Sequence, residues 1–219
     1  MKTSLLRLGA VVGLSIGALA LPIGASAAGS VADPSIYRSS GQVTQLFFDI
    51  PDASNPCIDT SGFVYGGNFT NSSPGTPTST GPFGLVWVAT ADNCSWTLLS
   101  SASYKGPLPA GSFQIDKSLT AASLVATLSG QDQNGNPVPI DVNVAWTGIG
   151  SVSSSKQSSH YQQPGLNLIT RSAGDFRSAS TSGSISLAGA NLVVSGPGSL
   201  ESDSSFLVSV CQSSTTFCK

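Results

Sequence analysis

Along most of this chain apolar side chains return at every second position, the spacing of a strand half buried against a core. The spacing of an amphipathic helix, every third or fourth position, is not seen. In VPIDVNVAW, Val138, Ile140, Val142, Val144 and Trp146 share one face while Pro139, Asp141, Asn143 and Ala145 take the other. Upstream, Leu124, Ala126 and Leu128 alternate in the same way, and DQNGNP lies between the two runs. Asn134-Gly135 supplies the positive φ values of a tight turn, so the two runs are expected to form a hairpin. Its register should be well fixed, because a slip of one residue would turn the whole apolar row to water.

The same rhythm predicts strands over VTQLFFDI (43–50), GFVYGGNFT (62–70), FGLVWVAT (83–90) and SWTLLSSASY (95–104), and further ones over NLITRS, FRSASTSGSISL, NLVVSG and SFLVSVCQ. The run around Trp87 is apolar on both faces, which reads as a central strand covered on both sides, with Trp87 and Trp146 in the core. In RSASTSGSISL, serines at 178, 180, 182, 184 and 186 form one face, most simply the wet side of a half-buried strand. NSSPGTPTSTGP (71–82) reads as an exposed loop, and so does the serine-rich stretch that follows Trp146. DKSLTAASL offers at most one helical turn. The expected fold is all-β: an antiparallel sandwich of jelly-roll type, or alternatively a closed antiparallel barrel.

Lys2 and Arg7 lead into the apolar run LGAVVGLSIGALALPIG, which ends in small residues suited to cleavage after Ala27 or Ala28. Residues 1–28 are therefore expected to be a secretory signal, and 29–219 a single exported β domain with no membrane segment. With Lys2 and Arg7 gone, seven basic residues face eleven acidic ones, a net charge of −4. No Lys/Arg cluster occurs along the sequence, which argues against a nucleic-acid partner.

Four cysteines, Cys57, Cys94, Cys211 and Cys218, suit an exported chain with two disulfides, and three connectivities are open. Cys57 with Cys94 and Cys211 with Cys218 is the preferred pairing. Zinc would need closer cysteine spacing and more than one histidine, so neither metal nor cofactor is expected.

With a single histidine, any Ser-His-Asp or Cys-His arrangement must use His160. No G-x-S-x-G elbow is present. Ser153 and Lys156 match S-x-x-K only in spacing, since that motif works on a helical turn. Asp132, Asn134 and Asn136 imitate the start of a calcium loop, but Pro137 and Asn143 stand where glycine and glutamate are required. Asp49, Asp52 and Asp59 form the densest carboxylate group, best read as turn and strand-end residues. His160 is best read as incidental to a solvated connection.

WTGIG, HYQQPG and AGDFRSASTSG together resemble a group of uncharacterised secreted bacterial proteins of similar size, over about residues 124–187. The resemblance implies no activity, but it draws attention to His160 and to Arg171, Asp175 and Arg177. With Trp96 and Tyr161 as aromatics less clearly committed to a core, these six are the candidate ligand-binding residues. The functional expectation is a secreted, non-catalytic binding or surface protein, recognising glycan or wall polymer. The alternatives are a barrel carrying a small apolar ligand and a hydrolase dependent on His160.

Overall fold

The computed structural model describes residues 35–73, 76–163, 166–187 and 189–211. The expected signal segment and Cys218 lie outside the described residues. Nine strands follow one another: β1 (Ser35–Pro51), β2 (Ile58–Ser73), β3 (Thr76–Asp92), β4 (Thr97–Pro107), β5 (Phe113–Ile115), β6 (Ala121–Asp132), β7 (Pro137–Gln163), β8 (Leu166–Leu187) and β9 (Ala190–Cys211). No helix occurs among the described residues.

The strands make one antiparallel sheet in the order β4-β3-β2-β1-β9-β8-β7-β6-β5, so the all-β antiparallel class read from the sequence holds. Sequential hairpins account for the order, except that β9 returns beside β1. The sheet rolls until β4 also meets β6 at Ala102↔Asp132 and Ser103↔Gln131. Rolling gives the sheet an inner and an outer face. The predicted hairpin β6–β7 forms in the expected register, with Leu124 opposite Val144 and Leu128 opposite Ile140. Its turn is held by Asp132, which accepts from the N–H groups of Asn134 and Asn136 at 2.8 Å each, and Gly135 takes φ 81°.

Inner-facing side chains fill the rolled sheet. Leu46, Val64, Val86, Leu124, Ile140, Val144, Ile185, Val194 and Leu200 are fully enclosed, and Trp146 lies among them. At one end the chain between β4 and β6 folds inward and drives Leu108, Phe113 and Leu119 into this core. The turn that carries Leu119 is wound around Asp116. The Asp116 carboxylate accepts from Thr120 N–H (2.9 Å), Ala121 N–H (2.8 Å), the Ser118 hydroxyl (2.9 Å) and the Thr120 hydroxyl. These bonds hold Leu119 at φ 55°, a conformation costly for a branched residue, and its burial offsets that cost. Where one short helical turn was conceivable, the chain makes this turn and enters β6.

Both stretches read as loops are strands. Residues 71–73 and 76–82 continue β2 and β3, with Thr70 opposite Thr80 and Asn71 opposite Ser79. β7 runs on past an irregularity between Ile149 and Ser153 to Gln163, with Ser158 opposite Arg171 and His160 opposite Ile169. Serine and threonine accept a ladder position readily once neighbouring strands supply the hydrogen bonds, and composition alone does not register that.

Cys57 and Cys94 are disulfide-bonded, with Cα atoms 5.3 Å apart, and join the β1–β2 turn to the β3–β4 turn. Cys218, the partner expected for Cys211, lies outside the described residues.

Candidate functional site

Two surfaces of the sheet carry chemistry that the core does not need. The first is on the outer face. Phe47, Phe63 and Trp87 occupy directly opposed positions on β1, β2 and β3. The Phe47 and Phe63 ring centroids are 4.6 Å apart, and Tyr65 stands 6.3 Å from Phe63 in a stacked orientation. Phe47 is 49% exposed and Trp87 41%. Trp87 therefore does not belong to the core, as its doubly apolar surroundings suggested. Its neighbours Val86 and Val88 point inward and are buried, and the indole faces water.

This aromatic row has polar borders. Asp49 and Ser61 flank it on one side, and Gln45 and Ser103 continue it elsewhere on the outer face. Gln45 donates its side-chain N–H to Glu201 at 3.1 Å, and the Ser199 hydroxyl donates to the same carboxylate at 2.7 Å. The Tyr65 hydroxyl is held well above the ordinary phenol range, first by burial and then by the nearby Glu201 and Asp203 charges. Burial also raises the Asp203 carboxyl.

The second surface is on the inner face, beyond the packed end of the core. Rows of opposed residues change character step by step. Leu46 and Ala179 are buried in the core, and Thr44, Leu200 and Arg177 form the next row. Gln42, Ser202 and Asp175 follow, then Ser40, Ser204, Ala173 and Lys156, then Arg38, Phe206, Arg171 and Ser158. A hollow of about 540 Å³ lies over the last two rows. In the two rows between the hollow and the core, Gln42 donates to the Asp116 carbonyl at 3.0 Å, and the Arg177 guanidinium donates to the Leu119 carbonyl at 3.4 Å. Arg177 Nε and Thr44 Oγ1 are buried there without a hydrogen-bond partner.

Of the six candidates, Arg171, Asp175, Arg177 and His160 share the inner face of this wall but occupy different rows. Arg177 is half-buried over the core. Asp175 accepts from the Ser154 hydroxyl at 2.5 Å. Only Arg171 lines the hollow. His160 is exposed, and its Nε2 lies 2.5 Å from Asn167 Oδ1, so the imidazole is engaged with an amide. Tyr161, the next residue, faces the other way and is 58% exposed. Trp96 stands apart at the β3–β4 turn, 90% exposed, with φ 56°. Ser153 and Lys156 sit on opposite faces of β7, which removes the S-x-x-K reading.

Sequence reasoning missed the aromatic row and the grouping of cations. The three cations Arg38, Lys156 and Arg171 come from separate strands and are joined only by register. The signal for the row was present in the parity of Phe47, Phe63 and Trp87.

No protein-family model matches the chain, and no curated protein matches it. Among solved structures it is similar to a Nitrosomonas europaea protein provisionally named AttH, at 12% identity and a TM-score of 0.29, over 84% of this chain. The chain spans 53% of the length of that protein, and a likeness this distant carries no functional argument.

Proposed function

We propose that this chain is an exported, non-catalytic binding protein that holds a neutral polysaccharide against its outer face. The observation that carries the reading is the Phe47–Phe63–Trp87 row on three adjacent strands, with Phe47 and Trp87 exposed and Phe63 half-buried between them. The row spans two strand spacings, about 10 Å, more than one sugar ring. The C–H face of a pyranose packs against aromatic π faces, and polar side chains at the border fix its hydroxyl groups. Trp96 and Val193 are exposed without a ring contact among the described residues, whereas Phe47 and Phe63 pack ring against ring beside Trp87, and a contiguous aromatic patch of this kind marks an interaction site.

Export is supported by the disulfide between Cys57 and Cys94 and by the leader-like start of the chain. A non-catalytic role is supported by the bonding of the single imidazole, which among the described residues meets the Asn167 amide and no serine or cysteine nucleophile. Carriage of an apolar ligand would need a hollow interior, whereas Trp146, Leu46 and Ile140 fill it.

Affinity electrophoresis in gels containing neutral polysaccharides tests the proposal. At least one neutral polymer is expected to retard the wild-type protein, and Trp87→Ala should weaken that retardation by about tenfold or more. Equal retardation of wild type and Trp87→Ala in every polymer that binds would refute it.

A further inference from the structure

The inner-face hollow gathers three of the chain's nine basic residues, Arg38, Lys156 and Arg171, although the protein as a whole is acidic. Arg38 and Arg171 stand on either side of Phe206 in one cross-strand row, and Lys156 occupies the adjacent row. The Arg38 guanidinium carbon lies 5.5 Å from the Phe206 ring centroid. All three cations are exposed, and none forms an ion pair among the described residues. Asp175, on the same face, stands one row below Lys156 and is engaged by Ser154.

We infer that this trough is a second binding surface, independent of the aromatic row, for an acidic polysaccharide. The cations are set at separate positions along the wall, on β1, β7 and β8, rather than side by side on one strand. Arg38 and Arg171 are two strand spacings apart, about 10 Å, and Lys156 extends the line across a fourth strand. Such spacing suits a chain with negative groups repeated along it. Ser204 lies between the charges and Ser40 and Ser158 at the ends of the two rows, offering hydroxyl partners to a sugar backbone, and Phe206 offers a ring face between Arg38 and Arg171. Three cations on an acidic protein are few for a nucleic acid, whose affinity comes from neutralising many phosphates. The carboxylates Glu201 and Asp203 occupy the opposite face of the same strands, so a polyanion is directed to the inner one.

The test is retardation in gels containing polygalacturonate, with dextran and a single-stranded oligonucleotide as comparison probes. Wild-type protein is expected to be retarded by polygalacturonate at low salt, and less as salt rises. Lys156→Gln combined with Arg171→Gln should weaken this retardation by about tenfold while leaving the melting temperature unchanged. Trp87→Ala should leave it intact, which separates this surface from the aromatic row. The inference is overturned if polygalacturonate does not retard the protein, if the double variant binds as wild type does, or if the oligonucleotide binds more tightly.

Discussion

The indole N–H of Trp146 on β7 donates to the backbone carbonyl of Gln45 on β1 at 2.9 Å, across the two strands that separate them in the sheet. Gly198 on β9 makes this possible: a Cβ there would come within 2.6 Å of the Gln45 oxygen and 2.9 Å of the indole. One ring thus ties the middle of the chain to its first described strand inside the core. Trp146→Phe is expected to destabilise the protein by about 1–3 kcal/mol, because the Gln45 carbonyl loses a buried partner. Gly198→Ala should also destabilise, through steric conflict alone. Chemical denaturation of the two variants checks both, and wild-type stability in Gly198→Ala would contradict the packing described.

The disulfide closes a 37-residue separation between two turns on neighbouring hairpins. Replacing both Cys57 and Cys94 by serine is expected to cost about 2–4 kcal/mol, chiefly by freeing the unfolded chain. The outer aromatic row should survive this change, since β1, β2 and β3 are held by continuous ladders. Thermal melting of the variant, paired with the electrophoretic assay, separates lost stability from lost binding.

Acid should loosen the turns before it loosens the sheet. Asp116 is held well below the usual aspartate value of 3.8, mainly by the hydroxyl and N–H of Thr120, and Ser118 and Ala121 add to this. Asp52, Asp92 and Asp132 are lowered by Ser54, Ser95 and Asn136 respectively. The folded values lie below the unfolded one, so the stabilisation is complete above about pH 4 and is lost as pH falls through the folded values. Melting temperature measured from pH 7 to pH 2 should stay level and then decline. Asp116→Asn should be less stable at pH 7 and show a shallower decline. An unchanged acid limb in that variant would contradict the role given to this turn.

Asp203 behaves in the opposite sense. Burial raises its carboxyl, so the folded state favours the neutral acid and carries a cost once Asp203 ionises. Asp203→Asn is expected to raise stability at pH 7 and to leave it nearly unchanged at pH 3. Loss of stability at pH 7 would point instead to a hydrogen-bonding role for the carboxylate.

The fold was legible wherever one face of a strand is dry. Val142, Val144 and Trp146 alternate with Asn143 and Ala145, and the structure buries the former as the alternation requires. The long ends of β2, β3 and β7 were not legible, because Ser, Thr, Gly and Pro in a strand mimic a loop in composition. Trp87 was misread for a different reason. With apolar residues on both faces of β3, periodicity defines two sets but does not say which set faces inward. The choice rests on neighbours in other strands: Val64 on β2 pairs with Val86, Leu46 on β1 pairs with Val64, and the three line up on the inner face. The basic trough is a still longer-range feature, since Arg38, Lys156 and Arg171 are brought together only by the return of β9 beside β1.

The claim that the outer aromatic row is a binding surface is tested most directly by iodide quenching of tryptophan fluorescence in Trp96→Phe. That variant leaves Trp87 as the exposed indole and Trp146 as the buried one. In the presence of a neutral polysaccharide that retards the protein, Trp87 is predicted to become protected from iodide. Quenching that stays the same while the polysaccharide remains bound would contradict the account and place the binding surface elsewhere on the molecule.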